Sequence, residues 1–335
     1  DPDVETTKFF VNAGIDVGSN MELFGTLSFG DSEFRSDFFY RPGYIAGTGG
    51  SGALLVDDGN GLPADAPQSL VDDIVGQGLD PADYLTADGA SASGYVLLNP
   101  IQSQFPGGFN PDFGADVSDF AALFGLRGES AGGWGWDIRG RIAENEVDYL
   151  LGSTINPSLG LLSPTNFRPG ALTQEETALT ADIVKSVDVG NLASPLNIAF
   201  GAEWREETYT IEAGDPASIE VGPTFLQFGF GSESFQGYPL ESAGEFDSDS
   251  IAVYFDLEAD VTERFSAGAA VRFEDYDAFG STFDWKLSGR FEVNDQFAIR
   301  GTANTGFRAP TTGQINTLNG TTAANSAGVL VPQFI

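Results

Sequence analysis

An all-β, antiparallel, up-and-down transmembrane barrel, or a section of one, is the fold this sequence predicts. Three observations predict it. Apolar and polar residues alternate with period two along much of the chain. The connections between the alternating runs are short and long by turns. Arginines concentrate on one side of those runs. Successive side chains of a strand point to opposite faces, so alternation marks strands with two different environments.

The clearest run sets Ile251, Val253, Phe255, Leu257 and Ala259 against Ala252, Tyr254, Asp256, Glu258 and Asp260. A later one sets Phe283, Trp285, Leu287 and Phe291 against Asp284, Lys286, Ser288 and Arg290. Ten such runs fall at roughly 8–17, 21–40, 119–129, 134–150, 178–189, 196–213, 249–261, 265–276, 282–293 and 297–308. The run at 119–129 alternates least. It is included because short connections (18–20, 130–133, 190–195, 262–264, 294–296) then alternate strictly with longer ones (42–118, 152–177, 214–248, 277–281). Short turns at one end and long loops at the other are the pattern of outer-membrane barrels, so 42–118 is expected to be a long extracellular loop.

Eight of the twelve arginines fall on the polar side of a run: Arg127, Arg139, Arg141, Arg205, Arg272, Arg290, Arg300 and Arg308. Asp137, Glu203, Asp256, Glu258, Glu274 and Asp284 share that side. A basic side chain facing lipid at the midplane of a barrel costs about 2–4 kcal/mol. The arginines are therefore expected to line a hydrated lumen, where they pair with carboxylates across strands. These pairs either hold the barrel's shape or touch a plug or substrate; Glu203 and Arg205 share both readings. Lys185 breaks the pattern, falling among Leu179, Ala181, Ile183 and Val187. It lies near a short turn, from which its amine is expected to snorkel to the membrane interface.

Composition narrows the function. The chain of 335 residues has net charge −34 and mean hydropathy −0.08. It has no run of apolar residues long enough for a membrane helix, and a barrel needs none. No basic residue lies between Arg41 and Arg127, or between Arg205 and Arg264, which repels nucleic acid. Cys and His are absent, which removes thiolate, His/Cys zinc and Ser-His-Asp chemistry. No enzyme activity, cofactor or metal is expected. The pairs Asp247/Asp249 and Asp275/Asp277 lack the spacing of a calcium loop. Aromatics crowd the long loops: Tyr40 and Tyr44 in the first, Phe225, Phe228, Phe230, Phe235 and Tyr238 in the third. They either stack on a ligand ring or pack the loop against itself. Two other folds fit the alternation: a complete ten-stranded pore or surface protein, and a soluble, acidic, adhesin-like sandwich.

At Asn304–Thr311 the chain reads Asn-Thr-Gly-Phe-Arg-Ala-Pro-Thr. This resembles the Gly-Phe-Arg-Ala-Pro signature of TonB-dependent outer-membrane receptors. Three more stretches resemble the same family, in its order: Asn156-Pro-Ser-Leu-Gly160, Gly201-Ala-Glu-Trp-Arg-Glu-Glu-Thr-Tyr209 and Ala270-Val-Arg-Phe-Glu-Asp-Tyr276. The resemblance spans about 120–311. It implies a barrel of about 22 strands filled by a plug. It also implies a Gram-negative outer membrane, a small nutrient ligand (an iron chelate, cobalamin or glycan) and energy from the TonB complex. Neither a plug nor a TonB box is found. The chain is thus expected to be an internal barrel fragment, with its TonB contact in a region it lacks.

Overall fold

The computed structural model describes residues 2–43 and 54–317, and the backbone of 320–324 and 330–334. Ten long strands dominate: β1 (Asp3–Asp16), β2 (Met21–Asp37), β3 (Asp112–Glu129), β4 (Gly135–Gly152), β5 (Phe167–Val187), β6 (Leu196–Glu212), β7 (Gly244–Thr262), β8 (Phe265–Tyr276), β9 (Gly280–Asn294) and β10 (Phe297–Asn304). Each pairs antiparallel with its neighbours in chain order, in one sheet. All ten expected runs are strands, including the weakly alternating β3. A single up-and-down sheet rules out the two packed layers of a sandwich. Among the described residues β1 and β10 pair on one side only, so the sheet is open.

Several boundaries differ from the alternation. At the long-loop end β3 begins at Asp112 and β5 at Phe167, each well before its alternating run. In the β5 extension both faces turn polar, with Gln174 and Glu176 on one and Thr173, Glu175 and Thr177 on the other. In the β3 extension Phe113, Ala115 and Val117 alternate with Asp112, Asp116 and Ser118, but on the opposite parity to Phe120, Ala122 and Phe124. The ladder continues through both extensions without one continuous hydrophobic period. The connection 277–279 is also short, because β8 and β9 stay paired up to Tyr276 and Gly280. The last strand ends at Asn304, not at 308. Thr305 breaks the ladder: its backbone N–H still donates to Trp285 O, but its hydroxyl now accepts from Trp285 N at 3.1 Å.

The described residues of the long connections, 38–43 with 54–111, 153–166 and 213–243, gather at one end of the sheet into a cap with its own core. Helix α1 (Gln68–Gly76) turns Leu70, Val71 and Ile74 onto Tyr84, Leu85, Leu97 and, from the third connection, Phe228. A second cluster joins Leu54, Ile101 and Phe109 to Ile155 of the second connection. Asn156 is the clasp. Its amide donates to the Ala217 and Glu220 carbonyls, both at 2.8 Å. Gly160 has φ 55°, and a Cβ there would lie 2.0 Å from Asp83 O, so only glycine fits. The Asn156–Gly160 segment therefore joins all three connections.

Candidate functional site

Register places the charged groups. Directly paired residues in a sheet share a face. Glu22 pairs with Arg127, Arg127 with Asp137, and Asp137 with Asp182. Asp182 pairs with Gly201, Gly201 with Tyr254, Tyr254 with Arg272, and Arg272 with Asp284. Stepping by two along each strand brings Arg139, Arg141, Glu203, Arg205, Glu274, Arg290 and Arg300 onto this same ionic face. Asp256 and Glu258 join them. Arg308 does not lie on a strand, because β10 has already ended. The chain turns back over the ionic face instead, with Phe307 edge-on to Tyr276 at 5.9 Å. Arg308, Arg205, Ser250 and Tyr276 then line a cavity of about 180 Å³.

Side chains on this face reach across intervening strands. Arg205 on β6 pairs with Glu274 on β8 at 3.5 Å, and Arg272 on β8 with Glu203 on β6 at 3.6 Å. Arg272 also holds Glu274 at 2.9 Å. This quartet buries Glu274, whose side chain is 9% exposed. A second cluster joins Arg139 to Asp137 and Asp182, both at 2.8 Å. Arg127 pairs with Glu22, Arg141 with Glu176, and Arg290 with Glu292. Among the described residues Arg300 and Arg308 have no ion-pair partner. Spans over two strands require side chains to converge, as they do on the concave side of a curved sheet.

The other face is apolar and exposed. Phe255, Val271, Trp285 and Phe291 lie on it, with Trp285 38% and Phe291 48% exposed. Lys185 also lies on this face, its amine 4.8 Å from the Trp134 ring centre at the short-turn end. Toward the long connections this face turns acidic. Its register sets like charges opposite each other: Glu33 with Asp116, Asp116 with Asp148, Glu144 with Glu175, and Glu206 with Asp249. Arg35 relieves the first of these, 2.7 Å from Asp116.

The loop aromatics divide. Phe228 (0% exposed), Phe230 (3%) and Tyr238 (6%) are buried, so packing has claimed them and a ligand cannot stack on them. Phe225 is half-buried. Phe235 is half-buried too, 4.9 Å from Tyr149 and 5.9 Å from Tyr238 in ring centres. With Phe113 they form an aromatic cluster over the loop end of the ionic face. Tyr40 is exposed and donates to Gly107 O. Tyr44 lies outside the described residues. Burial pushes the Tyr238 phenol up from its usual pKa, with Tyr149 nearby adding to the effect. Burial raises that of Tyr84 as well, helped by Asp83 and Glu220.

Tyr254, Tyr149 and Asn156 take roles that the sequence alone does not announce. The first two sit on the polar side of their strands, an aromatic among charges, and that was the available signal. Asn156 stands in a family-like segment but its role depends on a partner loop. Among the described residues no three acidic groups are placed to hold a metal ion.

The comparisons with known proteins bear on this architecture. The model of the family "TonB dependent receptor-like, beta-barrel" matches residues 59–333. No curated protein sequence matches the chain. Among solved structures, the siderophore receptor PirA from Acinetobacter baumannii aligns with a TM-score of 0.55 at 12% identity, over 99% of this chain and 38% of its own. The RagAB peptide importer in its closed-closed state aligns with a TM-score of 0.51 at 11% identity, over 99% of this chain and 36% of its own. These likenesses are of fold, and the chain spans little more than a third of either structure's length. With a family model covering most of its length and ten antiparallel strands paired in chain order, this chain belongs to the TonB-dependent receptor-like β-barrel family.

Proposed function

We propose that this chain is part of the wall of an outer-membrane receptor that imports a scarce nutrient. The ionic face lines the lumen, the apolar face meets lipid, and the cap lies outside the cell. One observation carries the reading. Seven strand arginines share a single register parity; Arg35 and Arg168, on the opposite face, sit only in its acidic part near the cap, and the rest of that face presents Phe, Trp, Leu, Ile and Val to the surroundings. Only a surface bathed in hydrocarbon rewards exposed apolar side chains while excluding arginine. The proteins similar in fold include a siderophore receptor and a peptide importer, which supports uptake as the class of activity. Arg300 and Arg308, without carboxylate partners among the described residues, are the groups on the ionic face best placed to contact a plug or passing substrate. TonB would act through a part of the receptor outside this chain.

The membrane half of the reading is tested with lipids. In vesicles with brominated acyl chains, Trp136, Trp204 and Trp285 fluorescence should be quenched strongly, since all three share the apolar face. No quenching would remove the membrane assignment. The transport half is tested in cells. Deleting the gene should abolish energy-dependent accumulation of one nutrient while leaving passive permeability intact.

A further inference from the structure

The cap carries a chemical preference. Its three connections contain no lysine or arginine across 42–111, 153–166 and 213–243. They contain twelve acidic residues, eight of them Asp between 57 and 88. A molecule approaching this end meets a field of one sign, which concentrates cations and repels anions. Arg41, at the root of the first connection, is already engaged with Glu233 at 3.1 Å.

A cleft of about 570 Å³ opens in this cap between α1 and the 221–227 segment. Its size is that of a small-ligand site. Pro67, Leu70, Pro223, Phe225, Val221 and Leu226 give it apolar walls. Val221 and Leu226 remain 44% and 42% exposed, although the cap core lies directly beneath them. Asp72 and Asp73 line the same cleft from α1. The cleft therefore combines uncovered apolar surface with negative charge.

We propose that this cleft is an outer docking site for a short basic peptide with aliphatic side chains. Such a peptide supplies both complements. Its aliphatic groups cover Val221 and Leu226, and its cation sits by Asp72 and Asp73. An anionic chelate supplies none and meets repulsion on approach. The inference deepens the uptake reading by naming a ligand class. Its test measures binding rather than transport, so the two fail separately.

The experiment is equilibrium binding of fluorescent peptides to the full chain folded in neutral detergent. One probe alternates leucine with lysine, a second replaces lysine with glutamate, and a third replaces leucine with glycine. The leucine–lysine peptide should bind roughly tenfold or more tighter than either other, with the preference shrinking as salt rises. Asp72→Asn with Asp73→Asn should remove most of the preference for lysine. Leu226→Ser should remove the preference for leucine. Ser69→Lys places a cation one helical turn from Asp72 and Asp73, where it neutralises them, and should weaken binding of the basic peptide alone. Equal binding of the lysine and glutamate peptides would overturn the proposal. So would unchanged binding in these variants, each checked by circular dichroism for an intact fold.

Discussion

Tyr254 Oη donates to Asp182 Oδ1 at 2.8 Å, across a strand that neither residue belongs to. Its ring crosses β6 at Gly201, which pairs with Tyr254 on one side and with Asp182 on the other. A Cβ at Gly201 would lie 2.5 Å from the ring and 2.6 Å from Asp182 Oδ1. The missing side chain is what lets β5 and β7 bond through the ionic face. Gly201→Val should displace the ring and break the bond. Overpacking of this kind costs about 1–3 kcal/mol. The unfolding midpoint of the detergent-folded chain in urea should fall accordingly, and Tyr254→Phe in the same background should cost little more.

The two faces differ in their tolerance of charge. Phe255→Arg should impair folding into lipid vesicles by about 2–4 kcal/mol, the cost of Arg near a bilayer midplane. Ser288→Arg, on the ionic face, should fold almost normally. Equal effects of the two, measured as folded fraction against urea, would show that the faces are misassigned.

Within the ionic face, burial grades the pairs. Glu274 faces two guanidinium groups with its side chain nearly sequestered, whereas Glu292 is 41% exposed beside Arg290. Glu274→Gln leaves Arg205 and Arg272 crowding one another. The expected loss is about 1–2 kcal/mol, below the full cost of breaking a buried pair because both arginines are a third exposed. Glu292→Gln should cost under about 1 kcal/mol, as exposed pairs do. Paired urea titrations separate the two.

Like charges meet on the outer face near the cap. Glu144 opposes Glu175, and Glu206 opposes Asp249. Directly opposed like charges destabilise a sheet by roughly 0.2–1 kcal/mol. Glu206→Lys should therefore stabilise the folded chain by a comparable amount. Added salt should stabilise the parent more than the variant, because screening relieves only the repulsion.

The cap should loosen at alkaline pH. Burial raises the phenol pKa of Tyr238 and Tyr84 in the folded state. A raised folded-state pKa gives stability that is complete below the unfolded value of about 10 and lost as pH rises through the folded value. Proteolysis within 213–243 should accelerate above about pH 10. Tyr238→Phe should weaken that dependence, since phenylalanine has nothing to ionise.

Ten strands and their order were legible in the sequence, because a surface between hydrocarbon and water writes its period directly into residues such as Phe255 and Asp256. The parity of the seven strand arginines was legible for the same reason. Where both faces are wet, as above Thr177 on β5, the period vanishes while the hydrogen bonds continue, so only the structure sets the strand's true end. The alternation around Arg308 suggested strand, yet Thr305 captures Trp285 N with its hydroxyl and turns the chain over the ionic face. Phe228 reads as any loop aromatic. Its burial depends on α1, more than 140 residues away in the chain, and on Asn156 drawing two connections together. Local pattern determines which way a side chain faces on a strand. Which distant loop covers it is decided by packing, which no single stretch of sequence contains.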